Sequence, residues 1–203
     1  YGRSVWVHGT FERRPAMASD DEYNVSVKRG ALRHYYQFVA RRLQQADPRS
    51  RDEPRAILFL NRKSGTMRHI SNGDAIVSAI RGHFSERRGL FLRTPVVHMR
   101  EPSTSLREMA RAMSDVLLLV TPHGAQLAAA PFMRPGSGVV EILPAGYHTT
   151  MYEQLCRYAG LLYARVNPPG ARYDIPTPGS TFYQPVTAPV SQVVDAVVEM
   201  SAR

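Results

Sequence analysis

A short run of small and polar residues follows directly on one of the most apolar stretches of the chain, residues 116–120: His123, Gly124, Ala125 and Gln126. The apolar stretch is typical of a buried strand, and the residues from 126 onward predict a helix. The first backbone N–H groups of a helix have no partner within it, so they favour an anion. Because a glycine lets a ligand approach the backbone closely, this turn is predicted to hold a phosphate group.

Three basic residues follow a second apolar stretch, residues 56–60: Arg62, Lys63 and Arg68. An arginine fork matches phosphate oxygens with two parallel hydrogen bonds. Two such side chains beside an amide-lined turn would suit a diphosphate. The competing interpretation is that all three are ordinary loop residues that face water, and it applies most strongly to Lys63.

Three further polar side chains near these turns have two predicted roles each. His123 either binds a phosphate or a sugar hydroxyl, or caps its turn. Gln126 either donates to a phosphate or caps the helix. Glu141 lies within the apolar run 139–143. A buried carboxylate needs a partner, which would be either the hydroxyls of a ribose or an arginine.

These side chains are positioned by an alternation of strand and helix patterns. Strands are predicted at residues 56–60, 95–98, 116–120, 139–143 and 161–166, and helices at residues 73–83, 106–113, 126–133 and 151–159. The alternation predicts right-handed crossovers and a parallel α/β sheet with helices on both faces. The strand at 116–120 is the most continuously apolar, so it is predicted to be central. The carboxyl ends of parallel strands lie at the same edge of a sheet. The basic loop after residues 56–60 and the glycine-containing turn after residues 116–120 are therefore predicted to meet at that edge.

The segments outside this alternation are less regular. Residues 31–43 predict a helix, and residues 46–55, which are polar and contain two prolines, predict a linker. Residues 168–189 contain six prolines and no periodicity, which predicts an irregular arm over the surface. Residues 190–200 predict an amphipathic helix at the end of the chain.

The composition of the chain favours an anionic ligand but does not identify it. The formal net charge is +9, carried by 24 arginines and 2 lysines, which suits a nucleotide sugar, an acidic glycan or nucleic acid. The arginines are scattered rather than interleaved with aromatic residues as in a single-strand-binding groove. The chain has no D-x-D motif and no His/Cys spacing typical of zinc, so no metal is predicted. Cys156, the single cysteine, lies on an apolar helix face and is predicted to be a buried thiol.

The order of three stretches resembles glycosyltransferase family 61: ILFLNRKSGTMRHISN, MSDVLLLVTPHGAQLAAAPFMRPGSGVVEILP and YEQLCRYAGLLYARV. The resemblance covers about residues 31–166, and its specificity lies in the order R…R-x-I-x-N, HGAQL, F-M-x-P-G and V-V-E-I-x-P. It implies the C-terminal half of a GT-B-type enzyme, with a Rossmann-like, nucleotide-sugar-binding domain at residues 56–167 and an arm and helix at residues 168–203. The implied donor-binding residues are Arg62, Arg68, His123, Gly124, Ala125, Gln126 and Glu141.

The resemblance also implies a reaction. Family members transfer a sugar such as xylose or N-acetylglucosamine from a UDP-sugar to a glycan or glycoprotein, with inversion and without a metal or other cofactor. Residues 1–45 would be a remnant of, or crossover from, the N-terminal domain that carries the base, so no catalytic base is assigned. The implied location is the Golgi or endoplasmic reticulum lumen, with any membrane segment outside this chain. Asn24 begins an N-glycosylation sequon, which is consistent with that location.

Two other functions stay open on the sequence. The first is a truncated module that binds a nucleotide or glycan without transferring a sugar. The second is a basic nucleic-acid-binding domain, which would bind DNA or RNA with a strong salt dependence and with no preference for UDP.

Overall fold

Five parallel strands organise the part of the chain described by a computed structural model, which covers residues 34, 56–86, 96–102 and 105–202. The strands are β1 (Ala56–Leu60), β2 (Val96–Arg100), β3 (Val116–Pro122), β4 (Gly138–Ile142) and β5 (Leu162–Val166). They pair in the order β2-β1-β3-β4-β5, and every pairing is parallel. The predicted α/β sheet is therefore confirmed, and β3 lies at its centre. The helix predicted at 31–43 (apart from His34), the linker at 46–55 and the sequon at Asn24 lie outside the described residues.

Helices cover both faces of the sheet, as predicted. One face carries α1 (Gly73–Glu86) and α4 (Val190–Ser201); the other carries α2 (Leu106–Ser114), a 3-10 helix (Ala125–Phe132) and α3 (Met151–Ala159). Successive side chains of a strand point to opposite faces, so each strand contributes to two cores. In β1, for example, Ile57 and Phe59 pack beneath α1, and Leu58 and Leu60 pack on the opposite face.

The helix predicted at residues 126–133 forms at nearly this position, but it is a 3-10 helix rather than an α-helix. Its bonds join residues three apart: the Leu127 N–H donates to Gly124 O at 3.0 Å, and the Met133 N–H donates to Ala130 O at 2.9 Å. Pro131 lies inside the segment and has no N–H to donate, and in an α-helix its ring would clash with the carbonyl four residues earlier. Pro131 therefore disfavours a regular α-helix over these residues.

The carboxyl ends of β1 and β3 lie side by side at the point where the strand order reverses. The chain passes from β1 to β2 on one side and then returns to place β3 on the other side of β1. The Thr121 hydroxyl donates to Leu60 O at 2.8 Å and ties the two ends together. In open α/β sheets, this crevice is where ligands bind.

The Pro-rich arm is irregular over most of its length, but its last residues are built into the core. Ile70 and Val186 form a parallel bridge, in which the Val186 N–H donates to His69 O and the Ser71 N–H donates to Val186 O. Val186 and Ala188 are 4% and 3% exposed. The Asn72 side chain bonds both the N–H and the C=O of Ala188. The loop after β1 is therefore held from outside by the arm.

Cys156 is buried in α3, and burial raises the pKa of its thiol. A protonated thiol without access to solvent is a poor nucleophile. We expect a chromogenic disulfide reagent to leave the native protein unmodified at pH 8 and to titrate one thiol per chain in denaturant. Absorbance after mixing measures both states. A native thiol that reacted as fast as the denatured one would contradict the burial of Cys156.

Candidate functional site

The loops that follow β1 and β3 converge at Gly124. A Cβ atom built on Gly124 would lie 2.7 Å from Arg62 Nη1 and 2.7 Å from Gln126 Oε1, closer than real Cβ atoms come. Gly124 also has φ = 157° and ψ = −179°, a backbone conformation that favours glycine. The absence of a side chain therefore lets the Arg62 guanidinium lie against the backbone of the turn.

The backbone of this turn presents donors to the same space. The His123 N–H is used within the sheet, because it donates to Ile142 O at 2.8 Å. The first bond of the 3-10 helix is donated by Leu127, so the N–H groups of Ala125 and Gln126 precede it and have no carbonyl to reach within the helix. Two such amides beside an arginine form a concentrated positive site.

The side chain of Gln126 braces the turn. Its amide nitrogen donates to Pro122 O at 2.7 Å and to Thr121 Oγ1 at 3.3 Å. Both of its N–H groups are thus engaged with the end of β3. These bonds hold the side chain against the end of β3, and a phosphate contact of Gln126 stays a prediction.

Arg68 is the second cation at this edge, and it is held by the arm. Its backbone is left-handed at φ = 61°, and its N–H donates to Gln184 O at 2.8 Å. Its guanidinium carbon lies 4.2 Å from the ring centre of Phe182. Burial, followed by the neighbouring charge of Arg62, lowers the pKa of Arg68. Within the described ranges, no carboxylate pairs with Arg62 or Arg68. The two arginines therefore form a partly desolvated pair of like charges, which an anion would relieve.

Lys63, in contrast, is exposed, and the structure shows only its backbone carbonyl in bonds, to Thr66. This placement fits the interpretation that its side chain faces water.

Glu141 lies beneath the turn with 0% exposure. Its Oε1 is 2.6 Å from His123 Nδ1, and its Oε2 accepts a short hydrogen bond from the Tyr163 hydroxyl. Its partners in the structure are therefore His123 of the turn after β3 and Tyr163 of β5 rather than an arginine, and a ribose contact stays a prediction. Glu141 supports the turn from below.

Three aromatic rings surround His123, and none of them was identified from the sequence. The centre of the imidazole lies 5.2 Å from that of Tyr147, 5.3 Å from that of Tyr152 and 5.8 Å from that of Phe182. Burial raises the pKa of both tyrosines, so their hydroxyls remain hydrogen-bond donors. Tyr152 follows the apolar pattern of α3 and so was detectable as a buried residue, whereas Phe182 lies in the arm, where no periodicity marks it.

No group of three His, Cys, Asp or Glu residues that could hold a metal ion occurs in the described part of the chain. Positive potential at this edge comes instead from Arg62, Arg68 and the N–H dipoles of the turn.

Replacing Gly124 by alanine should destabilise the protein by about 1–3 kcal/mol, the usual cost of one residue held in a glycine-only conformation. Gly82→Ala provides the matched control, because nothing lies within 4 Å of a Cβ at that helical position. It should be neutral or stabilising by up to about 1 kcal/mol. Urea unfolding of both variants measures the difference. Equal stabilities for the two variants would show that the turn tolerates a side chain.

Comparison with known proteins gives one family. A family model described as Glycosyltransferase 61 matches residues 13–140. Protein O-linked-mannose beta-1,4-N-acetylglucosaminyltransferase 2 of Xenopus laevis is 28% identical over 141 residues, which cover 68% of this chain and 22% of that protein. The protein of the same name from Tetraodon nigroviridis is 26% identical over 129 residues, which cover 64% of this chain and 21% of that protein. The chain thus spans about a fifth of the length of the curated relatives it matches.

Proposed function

This chain belongs to the glycosyltransferase 61 family, and we propose that it binds the nucleotide-sugar donor at the carboxyl edge of β1 and β3. The observation that carries this proposal is the position of Arg62 Nη1, 2.7 Å from where a Cβ atom of Gly124 would lie, beside the N–H groups of Ala125 and Gln126 that precede the first bond of the 3-10 helix. Arg68 adds a second charge that burial has partly stripped of water. Together these groups match the oxygens of a diphosphate.

In the proposed reaction, these groups stabilise the diphosphate as it leaves the sugar. Charge builds up on the leaving oxygens when the bond to the anomeric carbon breaks, and preorganised donors lower the energy of that state. Two arginines and two backbone amides supply positive potential without a metal. The proposed mechanism is therefore metal-independent transfer; inversion, and a GT-B-type enzyme of which this chain is the donor-binding part, are proposed from the family resemblance.

We propose UDP-N-acetylglucosamine as the donor and a glycan as the acceptor. Support comes from the relatives, whose names describe N-acetylglucosamine transfer to O-linked mannose. The family match over residues 13–140 includes both loops of the candidate site. A xylosyl donor is the alternative within the same family, and a module that binds the nucleotide without transfer is the alternative outside catalysis.

A thermal-shift screen tests the proposal. UDP and UDP-N-acetylglucosamine at about 100 to 1,000 times their dissociation constants should stabilise the folded chain by roughly 2.7–4.1 kcal/mol. The screen includes GDP, CDP, UDP-xylose and a short RNA at low and physiological salt. Stabilisation by RNA alone, lost as salt rises, would replace this proposal with a nucleic-acid-binding function.

Chelation should leave UDP binding unchanged. The proposed diphosphate partners are arginines and amides, so EDTA removes nothing that the site uses. Calorimetric titration of UDP in 5–10 mM EDTA, roughly, and again in excess Mg²⁺ or Mn²⁺ should give dissociation constants that agree within about twofold, or 0.4 kcal/mol. Binding that disappears with EDTA and returns with Mn²⁺ would overturn metal independence.

We also propose that the enzyme acts in the lumen of the Golgi or endoplasmic reticulum, the location that the family resemblance implies. No helix in the described part of the chain is long and apolar enough to cross a membrane.

A further inference from the structure

We infer that Glu141 and Tyr163 are positioning residues that hold His123 as its Nδ1–H tautomer. The Nε2 lone pair then accepts a hydrogen bond from a hydroxyl of the bound sugar nucleotide. The ligand half of this inference rests on the proposed function; the tautomer half does not. The three residues come from three neighbouring elements: the turn after β3, strand β4 and strand β5.

The hydrogen bonds of Glu141 determine which nitrogen of His123 carries the proton. A carboxylate can only accept hydrogen bonds. Its Oε2 accepts from the Tyr163 hydroxyl, and its Oε1 lies 2.6 Å from His123 Nδ1. The neutral imidazole must therefore carry its proton on Nδ1, which leaves Nε2 as an acceptor.

The surroundings of His123 keep the ring in place. Its side chain is 5% exposed and its edges contact Tyr147 and Tyr152. The next residue is Gly124, whose backbone lies against Arg62. Glu141 engages only Nδ1, and Nε2 is not among the fully buried polar atoms without a partner, so Nε2 is the ring nitrogen open to a ligand.

The chemistry of a lone pair selects its partner. Phosphate oxygens are acceptors, so an unprotonated Nε2 does not bind them favourably, whereas a hydroxyl can donate to it. A ribose hydroxyl and a hydroxyl of the transferred sugar can both donate in this way. UDP carries only the ribose, so a titration with UDP distinguishes the two donors.

Imidazole nitrogen NMR on the uniformly ¹⁵N-labelled full chain, without any ligand, tests the tautomer directly. The long-range proton–nitrogen spectrum distinguishes protonated from unprotonated ring nitrogens, and His123→Gln assigns the signal. Spectra are recorded on the neutral form of the ring, in which we expect the proton on Nδ1 and none on Nε2. His69 is the internal control, because its Nδ1 lies 2.7 Å from Arg62 O and must donate to that carbonyl. A neutral His123 ring with its proton on Nε2 would overturn the inference.

Two substitutions separate positioning from simple packing. In Glu141→Gln, the carbonyl oxygen can accept from Tyr163 while the NH₂ group donates to His123 Nδ1, so the proton should move to Nε2. Combining Glu141→Gln with Tyr163→Phe removes the hydroxyl that fixes the amide orientation, and the Nδ1–H tautomer should return. The His69 signal should stay unchanged in both variants. If Glu141→Gln left the His123 tautomer unchanged, a positioning role would be contradicted. An altered His69 signal would reveal a general change in fold.

Ligand titration tests the acceptor role of Nε2. Inorganic pyrophosphate, which has no sugar, should bind without moving the His123 Nε2 resonance. If UDP moves it, the donor is a ribose hydroxyl; if only UDP-N-acetylglucosamine moves it, the donor is on the transferred sugar. If both nucleotides stabilise the protein and neither moves the resonance, the ligand half of the inference fails while the proposed function stands. If neither nucleotide binds, the proposed function fails, whereas the ligand-free tautomer result is unaffected.

Discussion

Replacing Arg68 by alanine should weaken UDP binding roughly ten- to a hundredfold and leave uridine binding almost unchanged. A hydrogen bond to a charged group contributes about 1.5–3 kcal/mol, and each 1.4 kcal/mol corresponds to about a factor of ten in affinity. The guanidinium lies over Phe182 and beside Arg62, so removing it takes away a positioned charge at the diphosphate. Arg62→Ala should weaken UDP binding by a similar factor, because the Arg62 guanidinium lies where a side chain of residue 124 would be.

Calorimetry with UDP and uridine measures these effects in both variants. Arg111→Ala is the matched control, because it removes one positive charge from an exposed residue of α2. This helix ends just before β3 begins, whereas the proposed site lies where β3 ends. It should bind UDP about as tightly as the unmodified chain, since a distant surface charge is largely screened by salt. Equal losses for UDP and uridine would indicate damage to the fold. Unchanged UDP affinity in both site variants would return these arginines to the solvated-loop interpretation.

Replacing Glu141 by alanine should lower the free energy of unfolding by roughly 2–6 kcal/mol. Two buried donors, His123 Nδ1–H and the Tyr163 hydroxyl, would lose their acceptor, and each unsatisfied buried group costs about 1–3 kcal/mol. Because typical domains are stable by only about 5–15 kcal/mol, this is a large fraction of the total.

Urea unfolding gives the free energy for Glu141→Ala. Tyr163→Phe serves as the comparison, because it removes one hydrogen bond and leaves the contact between Glu141 and His123 in place. We expect a loss of about 0.5–1.5 kcal/mol for that variant. A Glu141→Ala protein within 0.5 kcal/mol, roughly, of the unmodified chain would show that the carboxylate does not support the site.

The sheet could be predicted from the sequence because its strands are continuous apolar runs. Residues 116–120 contain no polar side chain, and a strand covered on both faces requires such a run. The meeting of Arg62 and Gly124 at one edge could also be predicted, because the carboxyl ends of parallel strands lie at the same edge of a sheet. The 3-10 geometry of Ala125–Phe132 was not predicted, because apolar periodicity does not distinguish a 3-10 helix from an α-helix.

The partners of Glu141 could not be predicted because they depend on strand register. Periodicity shows that a residue is buried but not which residue of the next strand lies beside it. In the structure, Thr121 pairs with Glu141 and Glu141 pairs with Arg165, which brings His123 and Tyr163 to the same carboxylate. Phe182 was undetectable for a different reason: the arm that carries it is fixed by long-range bonds, such as those of Asn72 to Ala188, and not by local pattern.

Amide chemical shifts of the ¹⁵N-labelled chain during a UDP titration test the donor site most directly. We expect the N–H signals of Gly124, Ala125 and Gln126, together with the guanidinium signals of Arg62 and Arg68, to shift and saturate with one dissociation constant. The amide of Met200, which packs beside Gly138 at the start of β4, should stay in place. UDP that fails to bind, or that binds while these five residues are unmoved and shifts a different surface, would contradict the proposed site.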